Sequence, residues 1–352
     1  MSWTVVGQDA AIRVLTAAVK NDRVAHAYLF AGPGRTGKSL AAKQFAQMLN
    51  CTGDEAPCGE CRACERTAAG AHPDVEFVGI GAMCLEQGHD HAKDNSRDIR
   101  ICQVRRIEQI ISRAAFEGGY RVIVIEPADA MNASAIAALL KTLEEPPAKT
   151  VFVLVTDHEE MLLDTIRSRA RRVGFGGQSR ELIERTLRGR WDAEPEAAAE
   201  LARLSGGRLG WAVAALRDEK VLEAREDELD RAEKLAQAGL VERFSVAASI
   251  GGSYSRNRAA TQETLDLWLA WWRDLLLTVA GRDEQVVHVD RLEALRALAA
   301  QCEVAGAVRA LRAITETKLQ LTENASPVLA LEAMLLALPR LQANAVTSRL
   351  RG

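Results

Sequence analysis

Three apolar runs of strand length lie in the first half of the chain, with helix-forming segments between them. The runs are residues 27–31, 122–125 and 151–155. The third run is continuously apolar, as expected of a strand that is buried on both faces of a sheet. Strands that alternate with helices indicate a parallel sheet covered by helices. We therefore predict that residues 1–174 form an α/β domain.

The pattern changes after residue 174. The stretch "GFGGQ" (174–178) is rich in glycine and predicts a hinge. Residues 179–217 have helical spacing around "SGGRLG" and predict a small helical lid. From residue 218 onward amphipathic helices continue with few strand signals, and "GGSYSRNR" is the clearest break. We predict an α/β fold followed by an all-α part, in three domains: 1–174, 175–217 and 218–352.

The aromatic residues of the last domain favour a packed core. Trp268, Trp271 and Trp272 recur at helical spacing, and leucines follow at 275–277. A platform on which nucleic-acid bases stack is the alternative reason for such a cluster. Core packing is the commoner one, and we predict it here.

Composition and charge narrow the class of protein. The 352 residues are 48% hydrophobic and 26% charged, which is typical of a globular protein with two or three domains. The net charge of −3 argues against a free-standing nucleic-acid binder, which is usually basic. The N-terminus has no signal-peptide pattern, and the apolar runs are far shorter than the ~20 residues of a membrane span. We expect a cytoplasmic protein without membrane contact.

Four cysteines are closely spaced near residue 60. Clustered cysteines in a cytosolic protein favour metal binding, because disulfides are rare in that compartment. Cys51, Cys58, Cys61 and Cys64 supply the number of thiolates that a closed tetrahedral zinc site requires. A redox pair of the C-x-x-C type or a cluster without metal are the alternatives. We predict a structural Zn²⁺ site.

The other cysteines and three histidines are weaker candidates. Cys84, Cys102 and Cys302 are scattered along the chain, which predicts small core or surface residues. The histidines that could compete as metal ligands are His72, His89 and His91. The segment "GHDHAKDNSRD" is better interpreted as a polar loop.

A phosphate-binding loop follows the first apolar run. "GPGRTGKS" contains Gly32, Gly34 and Gly37, followed by Lys38 and Ser39. In such a loop backbone N–H groups surround the phosphates, the lysine binds the β- and γ-phosphate oxygens, and the hydroxyl is a magnesium ligand. The strand before it and the helix after it support nucleotide binding. A loop that survives as scaffold without nucleotide is the alternative.

The acids needed for hydrolysis are incomplete. After a strand such as 122–125, a hydrolysing protein carries two acids, one that holds magnesium and one that activates water. This chain has Glu126 and then Pro127, which cannot polarise water. Asp129 is a further carboxylate, but it lies late in the sequence for this role. The loop is therefore predicted to bind ATP with Mg²⁺ and not to hydrolyse it.

Several motifs together resemble one family. The phosphate loop, the four-cysteine insert, "LLKTLEEPP" and "TIRSRARRV" occur in one order, and "ENASPVLALEAMLLAL" lies near the end. In these motifs, over essentially its whole length, the chain resembles the AAA+ clamp-loader subunits of bacterial DNA polymerase III. The resemblance implies a nucleotide-binding α/β domain with zinc, a helical lid, and a helical collar that joins a pentamer.

The family contains hydrolysing motor subunits, called gamma/tau, and a hydrolysis-defective stator. Motors carry Asp-Glu at the position of Glu126-Pro127. Their lid also carries an arginine that senses the γ-phosphate, and here the alignment places Gly210 at that position, with Arg208 two residues away. In these departures the chain resembles the stator. Its phosphate loop is intact, however, which is also compatible with a motor subunit. The alternative is a self-sufficient ATPase such as gamma/tau.

Two more positions follow from the resemblance. The first sensor position, Thr or Asn in motors, falls on Asp157, or on Thr156 if one residue is inserted. The Ser-Arg-Cys motif of the family is matched by Ser168-Arg169-Ala170, with alanine in place of cysteine.

The resemblance gives Arg169 a role and the chain its partners. Arg169 is expected to enter the ATP site of a neighbouring motor subunit as an arginine finger; a salt bridge or a DNA phosphate contact is the alternative. The neighbouring basic residues, Arg167, Arg171 and Arg172, would otherwise form a solvated helix end. The implied partners are the gamma/tau and delta subunits in a pentamer, and through them the sliding clamp and primer–template DNA.

Overall fold

The computed structural model describes residues 3–84, 91, 96–113, 115–117, 119–254, 258–322 and 325–341. By internal packing the chain divides into two units. The first comprises Met1–Leu182 with Gly207–Gly210, and the second comprises Ile183–Gly206 with Trp211–Gly352. The domain boundaries at residues 174 and 217 stay a prediction.

A five-stranded parallel sheet forms the centre of the first unit. Its strands lie in the order β2-β3-β4-β1-β5. Both sheet neighbours of β1 are distant in sequence, since Tyr28 pairs with Val153 of β4 and with Arg171 of β5. The bounds are β1 Ala27–Ala31, β2 Val75–Val78, β3 Arg121–Ile125, β4 Thr150–Thr156 and β5 Arg171–Gly174.

Helices cover both faces of this sheet. Side chains alternate along a strand, so Tyr28 and Phe30 lie in one apolar cluster, and Leu29 lies in another. The first cluster includes Phe45 of α2, and the second includes Leu139 of α5. The helices are α1 Asp9–Lys20, α2 Lys38–Asn50, α3 Arg62–Ala68, α4 Ile101–Ile111, α5 Ala133–Glu144 and α6 Asp164–Arg167.

The three predicted strands are confirmed as β1, β3 and β4, all fully buried. The interpretation of the basic residues as one helix end is wrong in part. Arg167 ends α6, but Arg171 and Arg172 are the first residues of the edge strand β5. Only Val173 of that strand's first three residues is buried, so its charges face solvent.

The remaining elements are helical. Tryptophan side chains form the centre of the second unit: Trp268, Trp271 and Trp272 are each about 1% exposed, and the last two meet edge to face. Their predicted core role is confirmed, and so is the fold class, α/β followed by all-α. The helices are α7 Arg180–Trp191, α8 Pro195–Leu204, α9 Leu209–Arg217, α10 Lys220–Gln237, α11 Leu240–Ser253, α12 Arg258–Val279, α13 Leu292–Ala299, α14 Val304–Thr322 and α15 Pro327–Ala337.

Within the described part of the chain, every helix is too short or too polar to cross a membrane.

Candidate functional site

The phosphate loop connects β1 to α2, and glycines give it a shape that other residues would not allow. Gly32 has φ +147°, and a Cβ there would lie 2.0 Å from the carbonyl oxygen of Phe175. Gly37 has φ +100° and caps the N-terminus of α2. The first N–H groups of a helix have no intrahelical partner. The N–H groups at the start of α2 are therefore suited to bind an anion.

Lys38 lies inside this loop with its side chain 3% exposed. Its Nζ donates hydrogen bonds to the carbonyl oxygens of Gly32 at 2.7 Å and Pro33 at 2.6 Å. It also forms an ion pair with Oδ1 of Asp157 at 2.6 Å. A Cβ at Gly34 would lie 2.6 Å from Oδ2 of the same carboxylate, so this glycine leaves room for Asp157. The ammonium group is thus fully paired within the chain.

Ser39 and Glu126 bring together the two groups that resemble magnesium ligands. Glu126 directly follows β3, and the Ser39 hydroxyl donates a hydrogen bond to its carboxylate. A hydroxyl and a carboxylate are oxygen ligands of the kind Mg²⁺ uses beside phosphates. The next residue is Pro127, which the resemblance predicts to lie where hydrolysing members carry their second acid.

Asp129 and Thr156 form a separate pair. Asp129 lies in the short 3₁₀ helix Ala128–Ala130 and accepts a hydrogen bond of 2.5 Å from the Thr156 hydroxyl. The same hydroxyl accepts the N–H of His158 at 2.9 Å. Burial raises the pKa of the Asp129 carboxyl above its usual value. The two candidates for the first sensor position therefore have different partners, since Thr156 binds Asp129 and Asp157 binds Lys38.

Gly210 packs directly against the phosphate loop. Its N–H donates to the carbonyl oxygen of Arg35 at 2.9 Å, and a Cβ at this position would lie 2.8 Å from the same oxygen. Arg35 itself has φ +61°, in the left-handed region. Position 210 therefore has no space for an arginine side chain while this contact exists. Arg208 is half-buried nearby in sequence.

Two glutamine side chains hydrogen-bond the backbone of the phosphate loop and of the segments next to it. The side-chain amide of Gln8 donates to the carbonyl oxygens of Thr36 at 3.1 Å and Gly176 at 2.8 Å. The amide of Gln178 donates to Val6 O at 3.1 Å and Thr36 O at 3.2 Å. Sequence patterns gave no signal for either residue, because long-range amide contacts have no fixed spacing.

Arg169 lies between α6 and β5 and is tethered within the chain. Its Nη2 forms an ion pair with Oε1 of Glu144 at 2.8 Å, and its Nη1 donates to Thr165 O at 3.0 Å. Glu144 is the last residue of α5 and its side chain is about half exposed. Arg167 pairs with Asp164. The Arg169–Glu144 ion pair can open at small cost, since exposed pairs contribute about 0–1 kcal/mol.

The four clustered cysteines converge between α2 and α3. Cys51 follows α2, Cys61 caps α3 and Cys64 lies in its first turn. The four sulfur atoms lie within 4.8 Å of one another, with 4.0 Å between Cys51 and Cys61 and 3.9 Å between Cys58 and Cys64. Sulfurs bound to one zinc ion at 2.3 Å lie about 3.8 Å apart in a tetrahedron. The donor set and its spacing therefore fit zinc.

The turns of this module also suit a metal. The N–H of Cys61 donates to Sγ of Cys58 at 3.3 Å, and Gly59 between them has φ +82°. Burial opposes ionisation of Cys61, but backbone hydrogen bonds at Thr52 and Cys64 lower the pKa of its thiol to about 5. Burial raises the pKa of the Cys64 thiol. A bound cation would favour the thiolate form of all four.

Several known proteins are similar to this chain. A family model described as "DNA polymerase III, delta subunit" matches residues 7–178. DNA polymerase III subunit delta' of Bacillus subtilis is 28% identical over 327 residues, 92% of this chain and 94% of that protein. Subunit delta' of Pseudomonas aeruginosa is 41% identical over 189 residues, 52% of this chain and 53% of that protein. Over these stretches the chain is similar to delta-prime subunits of DNA polymerase III, and in the Bacillus case over nearly its whole length.

A tau subunit is also similar to this chain, over a shorter stretch. DNA polymerase III subunit tau of Bacillus subtilis is 37% identical over 174 residues, which is 49% of this chain and 28% of that protein. These matches confirm the resemblance to DNA polymerase III clamp-loader subunits that the motifs predicted.

The structure brings some of the predicted site residues together and places others differently from the prediction. The loop residues lie together, and so do the four cysteines, while their functional roles stay predictions. Cys84 and Cys102 are not scattered: with His91 they form a second cluster whose ligand atoms lie within 4.8 Å. Cys302 is buried in the second unit, and burial raises the pKa of its thiol.

The other histidines lie elsewhere. His72 is buried and accepts the N–H of Asp74 at 3.1 Å, while its Nε2 lies 3.2 Å from Glu117. It therefore does not compete for the four-cysteine site. His89 lies outside the described residues.

Proposed function

We propose that this chain is a delta-prime stator of a clamp loader, which binds nucleotide without hydrolysing it and completes the ATP site of a neighbouring motor subunit. Pro127 carries the proposal. Glu126 fills the first acidic position and meets Ser39. The position from which a second carboxylate would activate water is a proline, without an acidic side chain or an N–H. Asp129 does not replace that acid, because Thr156 holds its carboxylate.

Nucleotide binding is supported by the loop itself. A bound ATP would supply phosphate oxygens that replace the present partners of Lys38, and magnesium would lie near Ser39 and Glu126. The N–H groups at the start of α2 favour a negative charge. The two carbonyls and the carboxylate now paired with Lys38 must first release it, which lowers affinity. We expect weak to moderate binding.

The finger role of Arg169 is supported by its chemistry and its setting. A guanidinium stabilises the negative charge that spreads over the γ-phosphate oxygens in the transition state. Arg169 is partly exposed on the nucleotide-binding unit, and its ion pair with Glu144 can exchange for a phosphate of another subunit. The partners proposed for this exchange are gamma/tau subunits in a pentamer that also holds delta, the clamp and primed DNA.

The four-cysteine module is proposed to hold one structural zinc ion. The site joins α2 and α3 through a segment too short for a core of its own, so the metal would supply its folding energy. Elemental analysis of protein purified without added metal tests this, with Cys61→Ser plus Cys64→Ser as the variant. A folded wild-type protein without metal at these cysteines would contradict the proposal.

The experiment that tests the stator role mixes purified components. ATP turnover is measured for the chain with the motor and delta subunits, with and without clamp and primed DNA. We expect clamp and primed DNA to stimulate turnover only when this chain is present. The stimulated turnover per motor subunit should be the same with the Lys38→Ala variant as with the wild-type chain. If the complex with Lys38→Ala instead lost the share of turnover expected from one ATP site, this chain would be a self-sufficient ATPase, the alternative that the intact loop supports.

A further inference from the structure

We propose that Cys84, His91 and Cys102 form a second metal site, for zinc or another soft divalent ion, separate from the four-cysteine module. Their ligand atoms lie within 4.8 Å of one another, and Nε2 of His91 is 3.2 Å from Sγ of Cys102. His91 is 2% exposed and Cys102 is 6% exposed. Two thiols and an imidazole are a donor set that soft divalent ions prefer.

Backbone hydrogen bonds hold the chain next to Cys102 in place. Cys102 lies in the first turn of α4. Ile99, two residues before that helix begins, is bonded to the segment before α5: its N–H donates to Ala130 O at 2.8 Å, and its carbonyl accepts from Asn132 N at 3.1 Å. These hydrogen bonds hold the start of α4, and with it the Cys102 thiol, on the first unit. Ile99 and Val104, which lie close to Cys102 in sequence, belong to the apolar core of the sheet unit.

Gln103 brings the second thiol to the first. This side chain is 1% exposed, and its amide donates to the carbonyl oxygens of Gly79 at 2.8 Å, Ile80 at 3.3 Å and Ala82 at 3.0 Å. One residue of α4 therefore holds the chain that leads to Cys84 against the helix carrying Cys102. The two cysteines are 18 positions apart in sequence, so tertiary contacts bring them together.

A thiol–imidazole hydrogen bond explains only part of this arrangement. It accounts for the contact between His91 and Cys102 but not for the presence of Cys84 within reach of both. One ion between the three ligands accounts for all of the contacts. Zinc at its usual bond lengths sets a nitrogen and a sulfur about 3.6 Å apart, so outward shifts of a few tenths of an ångström admit it. Three protein ligands would leave one coordination position to water or an added ligand, and the ion would fasten the connection between β2 and α4.

Metal content tests the proposal on the full-length chain. After dialysis against a weak chelator we expect about two equivalents of zinc per wild-type chain, and about one in Cys84→Ser plus Cys102→Ser. Cys61→Ser plus Cys64→Ser should also retain about one, held by the second site. Cys302→Ser is the matched control, a buried cysteine outside both clusters, and should retain both.

Cobalt substitution gives a readout that does not depend on the double variants folding. In the wild-type protein the thiolate-to-cobalt absorbance should titrate in two phases, and His91→Gln should change the phase with fewer thiolates and leave the other unchanged. A single equivalent and a single phase in wild type would overturn the proposal, with the cluster then only a buried thiol–imidazole contact. A Cys84–Cys102 disulfide found by mass spectrometry in protein without the second metal would overturn it in favour of redox chemistry.

Discussion

The Nζ of Lys38 lies 2.6 Å from Oδ1 of Asp157, so the phosphate-loop lysine is paired with a carboxylate of its own chain. Asp157 directly follows β4, and its side chain is about half exposed. The carboxylate therefore lies where it competes with a phosphate oxygen for the same ammonium group. Its charge also opposes an incoming polyphosphate.

Asp157→Asn should raise the affinity for ATP. The change removes the ion pair and the repulsion, while it keeps the size of the side chain beside Gly34. Lys38 is buried but Asp157 is about half exposed, so solvent screens the pair; we expect it to contribute about 1 kcal/mol and its removal to tighten binding up to about fivefold. Calorimetric titration measures this, with Asp164→Asn as a control, since that carboxylate is 88% exposed and pairs with Arg167. Unchanged or weaker binding would show that Asp157 does not compete.

Arg169→Ala should lower the stimulated ATP turnover of the assembled complex while the subunit still folds and assembles. Arginine fingers contribute roughly 10³–10⁵ in small GTPases, and we expect a smaller loss here, up to about tenfold, because other sites of a ring keep working. Arg169→Lys should not restore the rate, because lysine lacks the planar fork.

Arg167→Ala is the matched control for this change. It removes a neighbouring guanidinium that pairs with Asp164, and it should leave turnover near the wild-type rate. If Arg169→Ala only weakened binding to primed DNA in a salt-dependent way, the residue would be a phosphate contact and not a finger.

Asp129→Asn should change how stability depends on pH. Burial raises the pKa of Asp129 above its unfolded value of about 3.9, so its protonated form favours the native state. This contribution is full below that value and is lost as the pH rises through the folded pKa. The amide oxygen of asparagine can still accept the Thr156 hydrogen bond without a charge.

Denaturant unfolding at several pH values measures the effect. Relative to wild type, the free energy of unfolding of Asp129→Asn should increase as the pH rises above about 4. Asp164→Asn, at an exposed carboxylate, should show no such trend. A relative stability of Asp129→Asn that instead falls as the pH rises would mean that the charged hydrogen bond with Thr156 outweighs burial.

Arg243→Ala should destabilise the second unit. The guanidinium is 3% exposed and donates to the carbonyl oxygens of Leu335 at 2.7 Å, Leu338 at 2.8 Å and Pro339 at 3.1 Å. These groups lie at the C-terminal end of α15, where carbonyls need partners and a positive charge is favourable. Without it we expect a loss of about 3 kcal/mol in the free energy of unfolding. The exposed Arg312→Ala is the control, and a similar loss there would contradict this explanation.

Sequence patterns predicted the buried parts of the sheet better than its edges. β1, β3 and β4 are continuous apolar runs because both of their faces are covered. β5 has arginines at its first two positions, since one neighbour is missing and its charges reach solvent. β2 has four residues, of which only Val75 and Val78 are buried, and such a run gives little signal.

The candidate sites divide in the same way. The phosphate loop and the four cysteines have fixed spacings, because one turn or one helix start places their ligand atoms. The partners of Lys38 and Arg169 could not be predicted, since Asp157 and Glu144 reach them only through the packing of separate strands and helices. Cys84, His91 and Cys102 have no recognised spacing, and Gln103 is part of the reason that they meet.

Steady-state ATP turnover by the purified chain alone tests the stator account most directly, with Lys38→Ala measured beside it. Because Pro127 stands where the water-activating acid would be, the account predicts that both proteins turn over ATP at the background rate, even where calorimetry shows that the wild type binds it. Sustained turnover by the wild-type chain that Lys38→Ala abolishes would contradict the account and identify a self-sufficient ATPase.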